Sequence, residues 1–217
     1  MTSHNMFASR PLRITALGVV VAAALALSGC NSGGDPNTGG TTSSSATVTE
    51  STTPKMTSTP TSATETSPAR EIAPPKLPIE AGEETKDGVE IFAKYYVELL
   101  EYAYTTGDVR ALEVVNSPSC KSCSGPVGDV KNAYSAGGWV VGGDLEATAA
   151  SSSFLRSADG SYFVNLSIKQ GRTAYYSGPR VLRKDVPAPE QEAPMQLTAS
   201  FVDGAWQVED FSPPKGL

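Results

Sequence analysis

The chain reads as an α+β protein, with N-terminal helices packed on one face of an antiparallel sheet and a disordered stalk in front of them. Three observations predict this. Apolar residues recur at three- and four-residue spacing from Val89 to Tyr134, the period of an amphipathic helix. From Trp139 the period changes to two, the signature of half-buried strands. Between Asn31 and Pro78, 20 of the residues are Ser or Thr and seven are Pro, with Val48, Met56, Ile72 and Leu77 the only large apolar side chains. Such a stretch cannot bury enough apolar surface to offset its conformational entropy. Helices followed by strands, in place of alternation, select α+β over a parallel α/β sheet.

The first 29 residues have the layout of an export signal. Arg10 and Arg13 give a positive start, and Ile14 to Leu27 form an apolar core that is short of the about 20 residues a spanning helix needs. The core ends in Leu27-Ser28-Gly29-Cys30, which resembles the lipobox of bacterial lipoproteins. That resemblance implies cleavage before Cys30, a diacylglyceryl group on its thiol, and residence on the extracytoplasmic face of the cell membrane. Residues 30–78 then form a Ser/Thr/Pro-rich linker with a coil length of roughly 40 Å, of a composition that suits an O-glycosylated stalk, and residues 79–217 form the folded domain.

Loss of Arg10 and Arg13 takes the net charge of −6 to about −8. An acidic chain has no counterion-release drive towards nucleic acid and gains nothing from anionic headgroups, so contact with the membrane falls to the lipid anchor. The single histidine, His4, lies in the removed segment. The remainder therefore cannot assemble Ser-His-Asp or Cys-His nucleophiles or a histidine-bearing zinc site. No cofactor or metal is expected.

In the domain, Val89, Phe92, Tyr96, Leu99 and Ala103 form a helical stripe widened by Ile91, Tyr95 and Leu100. With Thr85 as N-cap and Gly107 just past the end, the helix runs from Lys86 to Thr106. Asp108 caps a second, short helix through Val109, Leu112 and Val115, and Asn116-Ser117-Pro118 ends it. Val127, Val130 and Tyr134 mark a third, stopped by Gly137-Gly138. Between the last two lies Cys120-Lys121-Ser122-Cys123, open to three readings: a structural disulfide of an exported protein, a redox pair, or half of a metal site. The disulfide closes a four-residue loop and contributes about 2 kcal/mol. A thioredoxin-like pair needs a preceding strand, where here a helix and Pro118 precede.

Tyr162, Val164, Leu166 and Ile168 alternate with polar neighbours in a strand. At the C-terminus, a turn at Asp203-Gly204 pairs Phe201 with Trp206, Ala199 with Val208, Ser200 with Gln207 and Thr198 with Glu209, so that turn and hydrophobic pattern agree. At Asp159-Gly160 they disagree: a two-residue turn pairs Leu155 with Val164, a four-residue turn pairs Phe154 with Phe163, and the register stays open. Ser177-Gly178-Pro179 and Pro187, Pro189 and Pro194 suggest a long, partly irregular excursion between strands from Arg172 to Pro194.

Helices, then a sheet ending in Asp203-Gly204-Ala205-Trp206-Gln207-Val208-Glu209-Asp210, resemble the nuclear-transport-factor-two-like cone fold, in which long helices cross a curved sheet. The lipobox, the stalk, a Tyr-rich first helix ending in Thr106-Gly107-Asp108 and the Ser117-Pro118-Ser119-Cys120 link together resemble a family of actinobacterial lipoproteins of uncharacterised function, the family numbered 6318. The cone-fold resemblance implies a pocket between helix and sheet, with Tyr95, Tyr96, Tyr104, Trp206 and Asp210 as candidate lining. It also admits a homodimer through the open sheet face. Two functions follow as expectations. The favoured one is an anchored domain that binds a protein, a cell-wall component or a small ligand without catalysis. The other is a small isomerase, lyase or hydrolase using a pocket carboxylate, for which Asp210, on the Trp206 and Val208 face of its strand, is the candidate.

Overall fold

Helix α1 (Lys86–Thr106) has the bounds that its caps dictate. The Thr85 hydroxyl accepts from the Gly88 N–H at 3.0 Å, and Gly107 closes the last turn at φ 80°, its N–H donating to the Ala103 carbonyl. The Tyr134 hydroxyl donates to the carbonyls of Tyr104 and Thr105 at 2.8 and 2.6 Å, satisfying acceptors that a helix end leaves open. A Cβ on Gly107 would lie 2.5 Å from the Tyr134 ring, so both its backbone angle and this close approach require glycine. Helix α2 (Arg110–Val115) starts where Asp108 accepts from the Arg110 N–H at 3.0 Å. Helix α3 (Ser124–Tyr134) follows the cysteine pair. The structure is a computed structural model describing residues 59–214; the signal features, Cys30 and the linker as far as residue 58 lie outside the described residues.

The strands form two antiparallel ladders. One has the order β1 (Trp139–Gly142), β4 (Thr173–Tyr176), β5 (Leu182–Val186). The other has the order β2 (Leu145–Ser151), β3 (Ser161–Gln170), β6 (Ala193–Val202), β7 (Ala205–Ser212). They are joined: the Gly143 N–H donates to Arg172 and the Gly171 N–H to Asp144, each at 2.8 Å. One antiparallel pair of segments thus runs through both ladders and bends at Gly142 and Gly143, whose φ values of 71° and 81° are open to glycine and strained for other residues.

The excursion expected between Arg172 and Pro194 contains the hairpin β4–β5, turned at Ser177 to Val181 by bonds from Ser177 N–H to the Val181 carbonyl and from Val181 N–H to that of Gly178. Four residues, Thr-Ala-Tyr-Tyr, are too few to display a period, yet Thr173, Tyr175 and Tyr176 are β-branched or aromatic, which suits a strand. At β2–β3 neither expected register forms. The ladder stops at Ser151 opposite Asn165, and Phe154, at φ 53°, leaves the strand and stacks on Tyr162 with ring centroids 4.6 Å apart.

The final hairpin pairs Phe201 with Trp206, Ala199 with Val208 and Ser200 with Gln207, as read from the sequence. It then bulges, so that Thr198 faces Asp210 and Glu209 is the extra residue. A bulge reverses the alternation beyond it. Phe211, at 9% exposure, joins Trp206 and Val208 on the buried side, and Asp210 is turned off it.

The core packs the α1 stripe against Tyr162, Val164, Leu166, Leu197, Trp206 and Val208. A smaller cluster stacks Trp139 on Tyr176 and includes Ala63. This cluster explains why residues 59–78, which by composition belong to the linker, are placed on the domain. Thr61 and Arg70 exchange backbone bonds at 2.9 Å, and the Glu65 carbonyl accepts from Arg180 N–H at 2.7 Å. The Thr64 carbonyl accepts from Trp139 Nε1–H at 2.7 Å. Main-chain polar groups, to which a hydropathy argument is blind, hold the strap in place.

Candidate functional site

Where the ladders bend, a half-open pocket of about 210 Å³ lies between α1, the start of α3 and the sheets. Leu100 and Tyr104 come from α1, Pro126 from α3, Thr173 and Tyr175 from β4, and Met195 and Phe211 from β6 and β7. Its volume exceeds that of an engineered 150 Å³ cavity that takes benzene and falls below the usual range for drug-sized ligands. No Asp, Glu, Lys or Arg lines it. Burial, with the nearby Asp129 carboxylate and Tyr175, pushes the Tyr104 phenol up to about 12. Burial and Asp129 also raise Tyr175. Both phenols therefore keep their protons at neutral pH and above.

Beyond Tyr175 the surface turns polar. A second cleft, between α3 and the β4–β5 hairpin, is lined by Asp129, Asn132, Tyr175, Arg183 and Lys184. Lys184 Nζ sits 5.6 Å from the centroid of the Tyr175 ring, a cation–π distance.

Of the five residues suggested as pocket lining, Tyr104 alone is among those around the pocket. Tyr96 is 1% exposed, set edge-on to Phe211 at 5.1 Å, and burial drives its phenol far up. Trp206 packs edge-on against Tyr162 and Phe201 at 5.5 and 4.9 Å, and its Nε1–H donates to the Glu83 carbonyl at 3.2 Å. Tyr95 is buried beside Phe92. Aromatic residues at helical spacing are here core, consistent with their area. Sequence reasoning missed Tyr175, Met195 and Phe211. The first sits in a strand read as loop, and the last is brought inward by the bulge.

Asp210 belongs to a different assembly. Cys120 and Cys123 form a disulfide, Cα to Cα 5.4 Å, both residues being buried; the sulfurs are bonded to each other and are not metal ligands. Within the loop, Ser122 Oγ donates to Asp210 Oδ1 at 2.7 Å and accepts from the Phe211 N–H at 2.9 Å. Ser119 Oγ donates to Glu209 Oε2 at 2.9 Å, Ser200 Oγ to Glu209 Oε1 at 2.7 Å, and the Ser117 N–H to the Val208 carbonyl at 2.9 Å. Burial acts to raise the Glu209 carboxyl, and the serine hydroxyls outweigh it, so it lies below its ordinary value. The two carboxylates of the bulge thus fasten the disulfide loop to β7. Among the described residues, no group of three or more His, Cys, Asp or Glu is arranged to hold a metal ion.

The fold and the pocket define an α+β domain, helices first and antiparallel strands after, with a small apolar pocket at the bend of its sheets. Residues 59–212 match the family of unknown function DUF6318, and the chain belongs to that family. No curated protein matches the chain. Among solved structures, it is similar to the crystal structure of the intermembrane space region of the chloroplast protein ARC6, with a TM-score of 0.43 and 10% identity over 59% of this chain and 95% of that one.

Proposed function

We propose that the chain is an extracytoplasmic lipoprotein, anchored through Cys30, whose domain binds a small apolar ligand in the pocket at the sheet bend without transforming it. The observation that carries the binding reading is the pocket itself: half open, predominantly apolar, and free of any carboxylate or ammonium among its lining residues. General acid or base work is most effective from a titratable group whose pKa lies near the working pH and that is within hydrogen-bond reach of the substrate; the two phenols of the lining are pushed further above that range, and the one carboxylate suggested for that task is engaged by Ser122 and Ser212 outside the pocket. The anchor rests on the Leu27-Ser28-Gly29-Cys30 sequence after its apolar run, and the disulfide suits an exported chain.

Two measurements test this. Mass spectrometry of the membrane fraction is expected to find a chain beginning at a lipid-bearing Cys30, and Cys30→Ala is expected to lose that modification; an unmodified Cys30 in the mature protein overturns the anchor. For the pocket, ligand-observed NMR with ethylbenzene and the full-length protein in nanodiscs is expected to show saturable binding, with empty nanodiscs as blank. Met195→Trp, which fills the space, is expected to abolish it while the thermal midpoint stays within a few degrees. Equal binding by both proteins removes the pocket from consideration.

A further inference from the structure

Two phenols line the pocket with no protein acceptor for their protons among the described residues. Tyr104 and Tyr175 both belong to its lining, and neither hydroxyl makes a hydrogen bond to another described residue, although the Tyr104 main chain is itself tied down by Tyr134; neither is buried away from solvent, so water is what a ligand would displace from them. The other hydroxyl of the lining, on Thr173, is already directed to the Gly171 carbonyl at 3.4 Å. A ligand acceptor that replaces water on these phenols in a predominantly apolar pocket gains the net worth of a hydrogen bond.

The charges around the pair limit what that ligand carries. Asp129 lies in the cleft next door and bears on both phenols, so a carboxylate or phosphate placed between them meets a like charge. An ammonium has no lone pair to accept from the phenols, and Lys184 over the Tyr175 ring already holds a cation there. A neutral acceptor meets neither penalty. Because both phenols are held above the ordinary tyrosine value, they remain donors across the physiological range.

Resting on the pocket reading above, we propose that the ligand is a compact apolar molecule, of about the size of a substituted benzene ring, that carries one neutral carbonyl oxygen accepting hydrogen bonds from Tyr104 and Tyr175. Ring and substituent fill the space among Leu100, Met195 and Phe211, and the oxygen is directed to the phenols.

Four probes of similar size separate the alternatives: ethylbenzene, acetophenone, benzoate and benzylammonium, titrated by ligand-observed NMR into the full-length protein in nanodiscs. Acetophenone is expected to bind roughly two- to tenfold tighter than ethylbenzene, the range given by a net hydrogen bond, and tighter than either ion. In the Tyr104→Phe/Tyr175→Phe double variant the ratio of acetophenone to ethylbenzene affinity is expected to fall to about one, a change of preference that loss of packing, which weakens both probes alike, would not produce. A preference that survives the double variant, or an ion that binds as well as acetophenone, overturns the proposal. Ethylbenzene binding with no preference for acetophenone overturns it and leaves the pocket reading standing. Failure of all four probes removes both.

Discussion

Replacing Ser122 by Ala tests whether the disulfide loop is fastened to β7 through its side chain. The change deletes one oxygen and breaks two bonds, to Asp210 Oδ1 and from the Phe211 N–H. Asp210 keeps a partner in Ser212 Oγ at 2.6 Å, so its loss is softened. The Phe211 amide sits at the edge of the sheet on a buried residue and has no alternative acceptor among the described residues. An orphaned buried donor costs about 1–3 kcal/mol, and the lost bond to the carboxylate adds to it, less what water restores at this half-buried position. We expect a loss of about 2 kcal/mol, or roughly 4–8 °C in the thermal midpoint for a domain of this size. The assay is thermal and urea unfolding of the oxidised protein, followed by the fluorescence of Trp139 and Trp206, both buried. Ser124→Ala is the control: two residues on, its hydroxyl bonds only to the Lys121 carbonyl at an exposed site, and it is expected to stay within about 0.5 kcal/mol of wild type. If Ser122→Ala is no worse than Ser124→Ala, the loop is held by the disulfide, the Ser117 main chain and the Ser119–Glu209 bond, and the role given to the Ser122 side chain is refuted.

Gly107→Ala is expected to cost about 3 kcal/mol, from left-handed backbone strain and displacement of the Tyr134 ring with its two bonds. Gly137→Ala, at a similar φ but with open space around it, should cost about 1–2 kcal/mol; equal losses in urea melts would show that the ring contact is irrelevant. Asp108, its carboxyl held down to about 2 mainly by the Arg110 side chain, contributes stability that is complete above its ordinary value near 4 and is lost as pH falls towards 2. Asp108→Asn should flatten that acid limb of a midpoint-against-pH curve, and an unchanged limb would place the acid sensitivity elsewhere. Asp129→Asn should lower the ionisation midpoints of Tyr104 and Tyr175 in an ultraviolet absorbance titration, because it removes a charge that raises both while leaving burial in place; unmoved midpoints would detach Asp129 from the pocket.

The helices were legible because their signals are local and redundant: Thr85, Gly107 and an eight-residue apolar stripe all specify the same 21 residues of α1. The last hairpin was legible for three pairs and no further. Nothing in Thr198, Glu209 or Asp210 announces a bulge, since what stabilises it is the set of serines on a loop some 90 residues away in sequence. That one unread residue inverted the reading of Asp210 and concealed Phe211. The strap failed in the opposite sense. Its side chains promise nothing, and its carbonyls, which every residue has, find Trp139 and Arg180. Of the pocket, the helical side was readable at Tyr104; the β4 side was not, because four residues between a glycine bend and a Gly-Pro turn carry too little pattern.

The docking of the disulfide loop also settles how the sheet ends. A four-stranded ladder has two rims of unpaired main-chain groups, and each is a template for another chain. On β7 that rim is taken up by Ser117 N–H at Val208, by the parallel bridge of Asn116 to Val208, and by Ser122 at Phe211, so a foreign strand finds its places filled. The opposite rim, β2, is interrupted by a bulge at Thr148 and carries the charge of Glu146. In this domain a short cysteine loop serves as an edge guard as much as a staple, and its loss would open a surface for strand-to-strand aggregation.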